Sequence, residues 1–374
     1  MIIGIPAEIK AGEHRVAITP IGVRELTDRG HEVLIEAGAG EGSTIHDDEY
    51  ASQGAKIVPT TGDIFSAARL VLKVKEPQSS ELEMLGPDHI LFTYLHLAAY
   101  PYVADELMER GTTAIAYETV ELTGGALPLL APMSEIAGRM ATQAGAYFLE
   151  SAHGGRGILL GGVPGVAPGR VVVLGGGMAG ANAAMIAVGM QAQVVVIDRD
   201  VAKLRTLDSL YRGHILTLAS NQLTIEQQVL EADLVVGAVL VPGASAPKLV
   251  SEDLVRSMKR GAVLVDISID QGGCFDSSRE TTHAEPTYVV HEVVHYAVGN
   301  IPGAVPHTST YALTNATLPY VLSLADEGVG PALRAHPELF RGLNIAGGAI
   351  VHPAVARSLR YEPADPQEAL ATLS

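Results

Sequence analysis

Cysteine is nearly absent: Cys274 is the one thiol in 374 residues. A lone thiol forms no disulfide within the chain and cannot build a Cys-based metal centre, so a disulfide scaffold and a zinc ribbon are both excluded. Cys274 is read as a packed or half-exposed thiol, and no metal site is expected. Long apolar runs are also missing. Hydrophobic residues make up 47% of the chain, but Gly, Pro or a charge interrupts them before the roughly 18 to 20 residues that would span a bilayer. Basic charge is scarce, with 25 Lys and Arg against 42 Asp and Glu for a net charge of −17. Nucleic acid and anionic membrane both reward positive surface and are disfavoured as partners. A small anionic substrate stays compatible, because a few local cations can hold one. The opening MIIGIPAEIK enters a strand-like run without the basic-then-apolar layout of a secretory signal, which makes the cytoplasm the expected location.

What is present suits two domains, each large enough to bury a core. Residues 1–120 alternate apolar runs (MIIGIP, HEVLIEAG, AKIVP, LVLKVKEP, HILFTYLHL, TTAIAYET) with helix-like segments, the rhythm of β/α units on a largely parallel sheet. TPIGVRELTDRG has Thr19 at the N-cap, Pro20 at the first helical position and Gly30 as its stop. In APMSEIAGRMATQAGAYFLESAH, Ile136, Met140, Ala144 and Phe148 recur at helical spacing. GGVPGVAPG (161–169) is a turn-rich link. A second series comes next: RVVVLGGG, AQVVVID, HILTLAS, ADLVVGAVLV, GAVLVDISID and TYVVHEVVHYAV, runs suited to a parallel sheet covered on both faces. From residue 306 the chain is helical again and is expected to return to the first unit. The α/β organisation is therefore one domain of residues 1–129 plus 306–374 for substrate, with a dinucleotide-binding domain of residues 130–305 inserted into it.

VVVLGGGMAGANAAMIA (171–187) holds Gly175-x-Gly177-x-x-Gly180 between an apolar run and an Ala-rich helical segment. A lone glycine fingerprint is weak, but the strand-turn-helix context gives it meaning. Gly175 allows the tight turn, Gly177 lets backbone approach a pyrophosphate, and Gly180 lets helix and strand pack closely. The helix N-terminus meets the phosphate charge. QVVVID ends in Asp198, 18 residues past Gly180, where an acid accepts from ribose hydroxyls and selects NAD over NADP. Arg199 beside it tempers that choice.

Four charged or titratable residues sit at or near the ends of apolar runs: Arg15 in AGEHR, Lys75 in LVLKVKEP, His96 in FTYLHL and Asp270 in VLVDISID. On a strand through LVLKVKEP, Val71, Lys73 and Lys75 share one face. Ligands of parallel sheets gather outside the carboxyl ends of the strands. Each residue also admits a structural reading: Arg15 as a solvated loop residue, Lys75 paired with Glu76, His96 as an interior histidine, Asp270 as a cap. Together, two cations, one base and one carboxylate fit work on a small keto acid, with cations holding a carboxylate and histidine moving a proton near neutral pH. Lys73 is expected to be structural or solvated. Glu118, in AIAYETVE, also ends a strand, and its role stays open.

GIPAEIKAGEHRVAITP, KVKEP, TYLHLA, APMSEIAGRMATQAGAYFLE, LGGGMAGANAA, VDISIDQGG and GNIPGAVPHTSTYALTNATLPY together resemble the alanine dehydrogenase family over nearly the whole chain. The resemblance implies a Rossmann-type NAD domain inserted into a discontinuous Rossmann-like catalytic domain, and a homohexamer. It also implies reversible conversion of L-alanine, water and NAD⁺ to pyruvate, ammonium and NADH. It makes Arg15 and Lys75 the substrate-binding cations, and His96 and Asp270 the catalytic residues. Around the cofactor it places Ser134, the turn residues Gly175, Gly177, Met178, Ala179 and Gly180, then Asp198, Lys203, Ser220 and Arg279. Backbone at Val239, Leu240, Ile267, Ser268, Ile269, Asp270, Val298, Gly299, Asn300 and Ile301 completes the lining. The rival readings are the NAD(H)-binding component of a proton-translocating transhydrogenase, a saccharopine-type dehydrogenase, and a catalytically silent NAD-binding regulator. Alanine-dependent reduction of NAD⁺ without a partner protein discriminates against the transhydrogenase component, and initial rates with alanine, serine, glycine and lysine against the change of substrate.

Overall fold

The computed structural model describes residues 1–239 and 246–373. The chain divides into two compact units, Met1–Met133 with Val305–Ser374, and Ser134–Ala304.

In the first unit six parallel strands, β1 (Ile2–Ile5), β2 (Glu32–Glu36), β3 (Lys56–Val58), β4 (Leu70–Leu72), β5 (Ile90–Thr93) and β6 (Thr113–Ala116), lie in the order 3-2-1-4-5-6. Two strands from the C-terminal stretch, Leu343–Ala346 and Ala349–Ile350, extend the sheet antiparallel beside β6. Every residue of β4, β5 and β6 is buried. Parallel strands covered by helices on both faces have no wet side to place polar residues on, hence the unbroken apolar runs. Thr19 is the N-cap of helix Pro20–Asp28, although its side chain makes no capping bond, and Gly30, left-handed at φ 82° just past the C-cap Arg29, stops the helix as expected. The 22-residue helix Pro306–Glu327 belongs to this unit. Its buried Thr310 hydroxyl accepts from Val16 N at 3.1 Å, fixing the loop that carries Arg15.

The second unit repeats the plan. Strands β7 (Arg170–Leu174), β8 (Gln193–Asp198), β9 (Ile215–Ala219), β10 (Leu234–Gly237), β11 (Val263–Asp266), β12 (Thr287–Val290) and β13 (Val293–Tyr296) give the sheet order 12-13-11-10-7-8-9. All pairs are parallel except β12 with β13. TYVVHEVVHYAV is therefore a hairpin rather than one strand: His291 and Glu292 turn the chain with φ of 50° and 62°. The helix predicted around 131–153 spans Ala131–Phe148 and is succeeded by a 3₁₀ turn at Ser151–His153. Among the described residues no helix is long and apolar enough to cross a membrane.

Candidate functional site

In the first unit, β1, β4, β5 and β6 are successive parallel neighbours, so their carboxyl ends open on one side. The segments beyond those ends carry, in turn, Arg15, Lys75, His96 and Glu118. Sheet order alone thus brings together residues up to about a hundred positions apart in sequence, at the place where such sheets bind ligands.

Arg15 is 2% exposed, which removes the solvated-loop reading. Its guanidinium donates from Nε to Glu13 Oε1 at 2.6 Å and from Nη2 to Glu13 Oε2 at 2.5 Å, while Nη1 approaches Met133 Sδ at 3.0 Å. Burial alone would raise the Glu13 carboxyl, but the fork of Arg15 against it brings it down to about 2. Burial, then the positive charges of Arg15 and Lys10, push the Lys75 ammonium below its ordinary value. Three cations crowded together repel one another, and an incoming carboxylate relieves that repulsion.

His96 stands at φ 47°, a left-handed conformation that costs a non-glycine residue about 1–3 kcal/mol and needs support. The Glu118 carboxylate supplies it. Oε1 accepts His96 N at 2.6 Å, and both oxygens accept Leu95 N at 3.2 Å. Tyr94 stacks on the imidazole with centroids 5.7 Å apart and 6° between the planes, and its own hydroxyl is anchored on Leu129 O at 2.6 Å. Burial and the charges of Lys75, Lys10 and Arg15 pull His96 down to about 3, so the ring is neutral at pH 7 and able to accept a proton. Burial acts on Glu118 in the opposite sense and raises its carboxyl, against the backbone donors that lower it.

Strand β4 stops at Leu72, so Lys73 and Lys75 both lie beyond it rather than on one strand face. Lys73 is buried, not solvated, and donates to Glu8 Oε2 at 3.1 Å and Glu81 Oε1 at 2.7 Å. Glu8 Oε1 also accepts Val74 N at 2.6 Å, so the ion triad clamps the backbone one residue before Lys75. Glu76 does not pair with Lys75: its partner is Lys10, which also donates to Tyr100 Oη at 3.1 Å. Sequence reasoning missed Glu8, Lys10 and Glu13. All three sit in AEIKAGEHR, whose unusual charge density was the available signal.

In the second unit the cofactor candidates again lie at strand ends: Gly175 to Gly180 after β7, Asp198 ending β8, Ser220 after β9, Val239 after β10, Ile267 to Asp270 after β11, and Val298 to Ile301 after β13. Leu240 lies outside the described residues. Lys203 is exposed on the first turn of helix Val201–Tyr211, Arg279 is exposed in the loop after β11, and Ser134 is half-buried on helix Ala131–Phe148. Gly175 has φ 104°, and a Cβ there would meet Ala238 O at 2.5 Å. A Cβ on Gly180 would come within 1.8 Å of Gly175 O, whereas the space at Gly177 is open. Helix Met178–Gly189 begins directly after, with Gly177 at its N-cap. Asp198 accepts Gly176 N at 2.6 Å and Asp200 N at 2.7 Å, so the carboxylate also holds the glycine turn in place. Strand β11 ends at Asp266, and Asp270 lies beyond it on the exposed side of the 3₁₀ helix Ile267–Gln271. Asp266 caps that 3₁₀ helix, its Oδ1 accepting Ser268 N at 3.0 Å.

The model of the alanine dehydrogenase/PNT N-terminal domain matches residues 4–137 and that of the C-terminal domain residues 141–353. Alanine dehydrogenase of Mycobacterium tuberculosis is 57% identical over 371 residues, covering 99% of this chain and 100% of its own, and that of Bacillus subtilis is 53% identical over 99% and 98%. A solved L-alanine dehydrogenase superposes with a TM-score of 0.94 at 51% identity, covering 96% of this chain and 99% of its own. A transhydrogenase from Sinorhizobium meliloti shares the fold, with a TM-score of 0.81 at 24% identity over 95% and 100%.

Proposed function

The chain belongs to the alanine dehydrogenase/PNT family, and from that premise we propose that it is an NAD-dependent L-alanine dehydrogenase, converting L-alanine and water reversibly to pyruvate and ammonium. The observation that carries the assignment of residues is the convergence of Arg15, Lys75, His96 and Glu118 at the carboxyl ends of four adjacent strands. The second unit fits a dinucleotide: its glycine turn is closed to side chains at Gly175 and Gly180, open at Gly177, and leads into a 12-residue helix.

When bound, NAD⁺ supplies the acceptor for the Cα hydride of alanine. The residues of the chain do the rest. Arg15 clamps the substrate carboxylate, and Lys75 stabilises oxygen as charge develops there. Neutral His96 takes a proton from the water that attacks the iminium carbon, and returns it as the carbinolamine releases ammonium. Entry of the carboxylate offsets the cations that depress His96, so the ring becomes more basic when substrate is present. Asp270 acts as the second catalytic residue, and Asp198 receives the ribose. Six identical chains working in the cytoplasm complete the proposal, supported by the family resemblance; light scattering on the purified protein tests the assembly.

The test of the activity is initial-rate formation of NADH from NAD⁺ and L-alanine by the purified chain with nothing else added. Turnover that requires alanine and is far slower with lysine or with NADP⁺ is the expected result. No reduction without an added partner protein would contradict it.

A further inference from the structure

The loop after β11 is built around the carboxylate at the end of its own strand. Asp266 is 1% exposed. Its Oδ1 accepts Ser268 N at 3.0 Å and faces Cys274 Sγ at 3.6 Å; its Oδ2 accepts Cys274 N at 2.9 Å and Ser278 Oγ at 2.5 Å. These partners lie on both sides of Asp270, at positions 268, 274 and 278. Ser268 Oγ in turn donates to Val239 O at 2.7 Å, tying the same loop to the end of β10. The chain reverses through Gly272 and Gly273 at φ 89° and 75°, and a Cβ on Gly273 would press within 2.7 Å of Asp266 Oδ2. All four groups facing Asp266 are donors. A carboxylate accepts from all of them, whereas an amide of the same shape would turn its own N–H₂ toward two of them.

We propose that Asp266 is a positioning residue for catalysis, gathering the 267–279 loop so that Asp270 is presented at a fixed place and height above the sheet. The proposal rests on the reading of Asp270 as catalytic. Asp266 is too deeply buried to touch substrate itself and acts only through the loop. Burial raises its carboxyl, and the three points of the loop that donate to it are what keep the acceptor form in place. Misplacement of a reacting group by about 1 Å costs on the order of 10²-fold in rate, which sets the scale of the effect.

The experiment compares Asp266→Asn, the milder Ser278→Ala, Asp270→Asn, and each of the first two combined with Asp270→Asn, by steady-state kinetics with alanine and by titration with NADH. Ser278→Ala removes one donor and keeps the acceptor, so it serves if Asp266→Asn does not fold. The expected result is a fall of about 10- to 100-fold in kcat for Asp266→Asn and less for Ser278→Ala, with KM for alanine nearly unchanged. Added to Asp270→Asn, either change should lower the residual rate hardly further, because the group being placed is already gone. Equal further losses in both backgrounds would show a general structural role and overturn the proposal. Wild-type turnover in Asp270→Asn would remove the reading beneath it, a distinct outcome.

Discussion

The two units arrange their six parallel strands in one order, 3-2-1-4-5-6, and differ most in the connection between the first strand and the first helix. After β7 the chain needs only the Gly175–Gly177 turn before helix Met178–Gly189 starts; Gly175 N and Gly176 N donate to Ile197 O and Asp198, which leaves the helix N-terminus as the available chemistry. After β1 it makes a long loop through Glu8, Lys10, Glu13 and Arg15 before helix Pro20–Asp28, and side-chain charge is the available chemistry. In the function proposed, the crevice where strand order reverses takes a diphosphate in the second unit and a small carboxylate in the first. Strand order decides where a ligand goes, and the first loop decides which.

The largest effect is expected at His96. Replacing it with Ala should lower kcat by about 10²- to 10⁴-fold and leave NADH titrations close to wild type; a collapse of the melting temperature instead would return His96 to the role of an interior histidine. Lys73 comes next, because the first unit keeps its cations in place with a buried ion triad that has no counterpart in the glycine turn. Lys73→Ala leaves Glu8 and Glu81 as uncompensated buried carboxylates and should cost about 3–5 kcal/mol by chemical denaturation. In the second unit, Gly175→Ala should cost about 1–3 kcal/mol through its positive φ and its contact with Ala238 O, and weaken NADH binding with little change in KM for alanine.

Acid should destabilise the first unit through its buried titratable groups. His96 is held at about 3 against an ordinary 6.5, so between those values the unfolded chain takes up a proton that the native chain refuses. Stability from this source is complete above pH 6.5 and falls as pH drops toward 3. Glu13, held at about 2 against 4.5, adds a second loss that begins only below pH 4.5. Between pH 7 and 5 the melting temperature of His96→Ala should therefore decline less than that of wild type. The smallest effect is at Asp198: Asp198→Ala should raise KM for NAD⁺ without conferring useful activity with NADP⁺, since the carboxylate also holds Gly176 N.

The α/β class, both strand series and the glycine turn were legible in the sequence because each is written in neighbouring residues: apolar runs for strands, and Gly175-x-Gly177-x-x-Gly180 for the turn. Errors came where a backbone event interrupts an apolar run. The left-handed pair His291 and Glu292 folds one expected strand into two, and Lys73 and Lys75 read as strand although β4 ends at Leu72. Contacts across the sequence were invisible altogether. Lys73 meets Glu8 and Glu81, Arg15 meets Met133, and the loop bearing Arg15 is fixed by Thr310, almost three hundred residues away. Glu118 stayed undecided because its contact is with the backbone of His96, which leaves no pattern in side-chain types.

The most direct measurement takes one preparation of Lys75→Ala and determines on it both NADH affinity and alanine-dependent turnover. With the ammonium serving the substrate and the glycine turn the cofactor, wild-type affinity with turnover reduced to background is the expected result. Parallel loss of both, or survival of both, would contradict it.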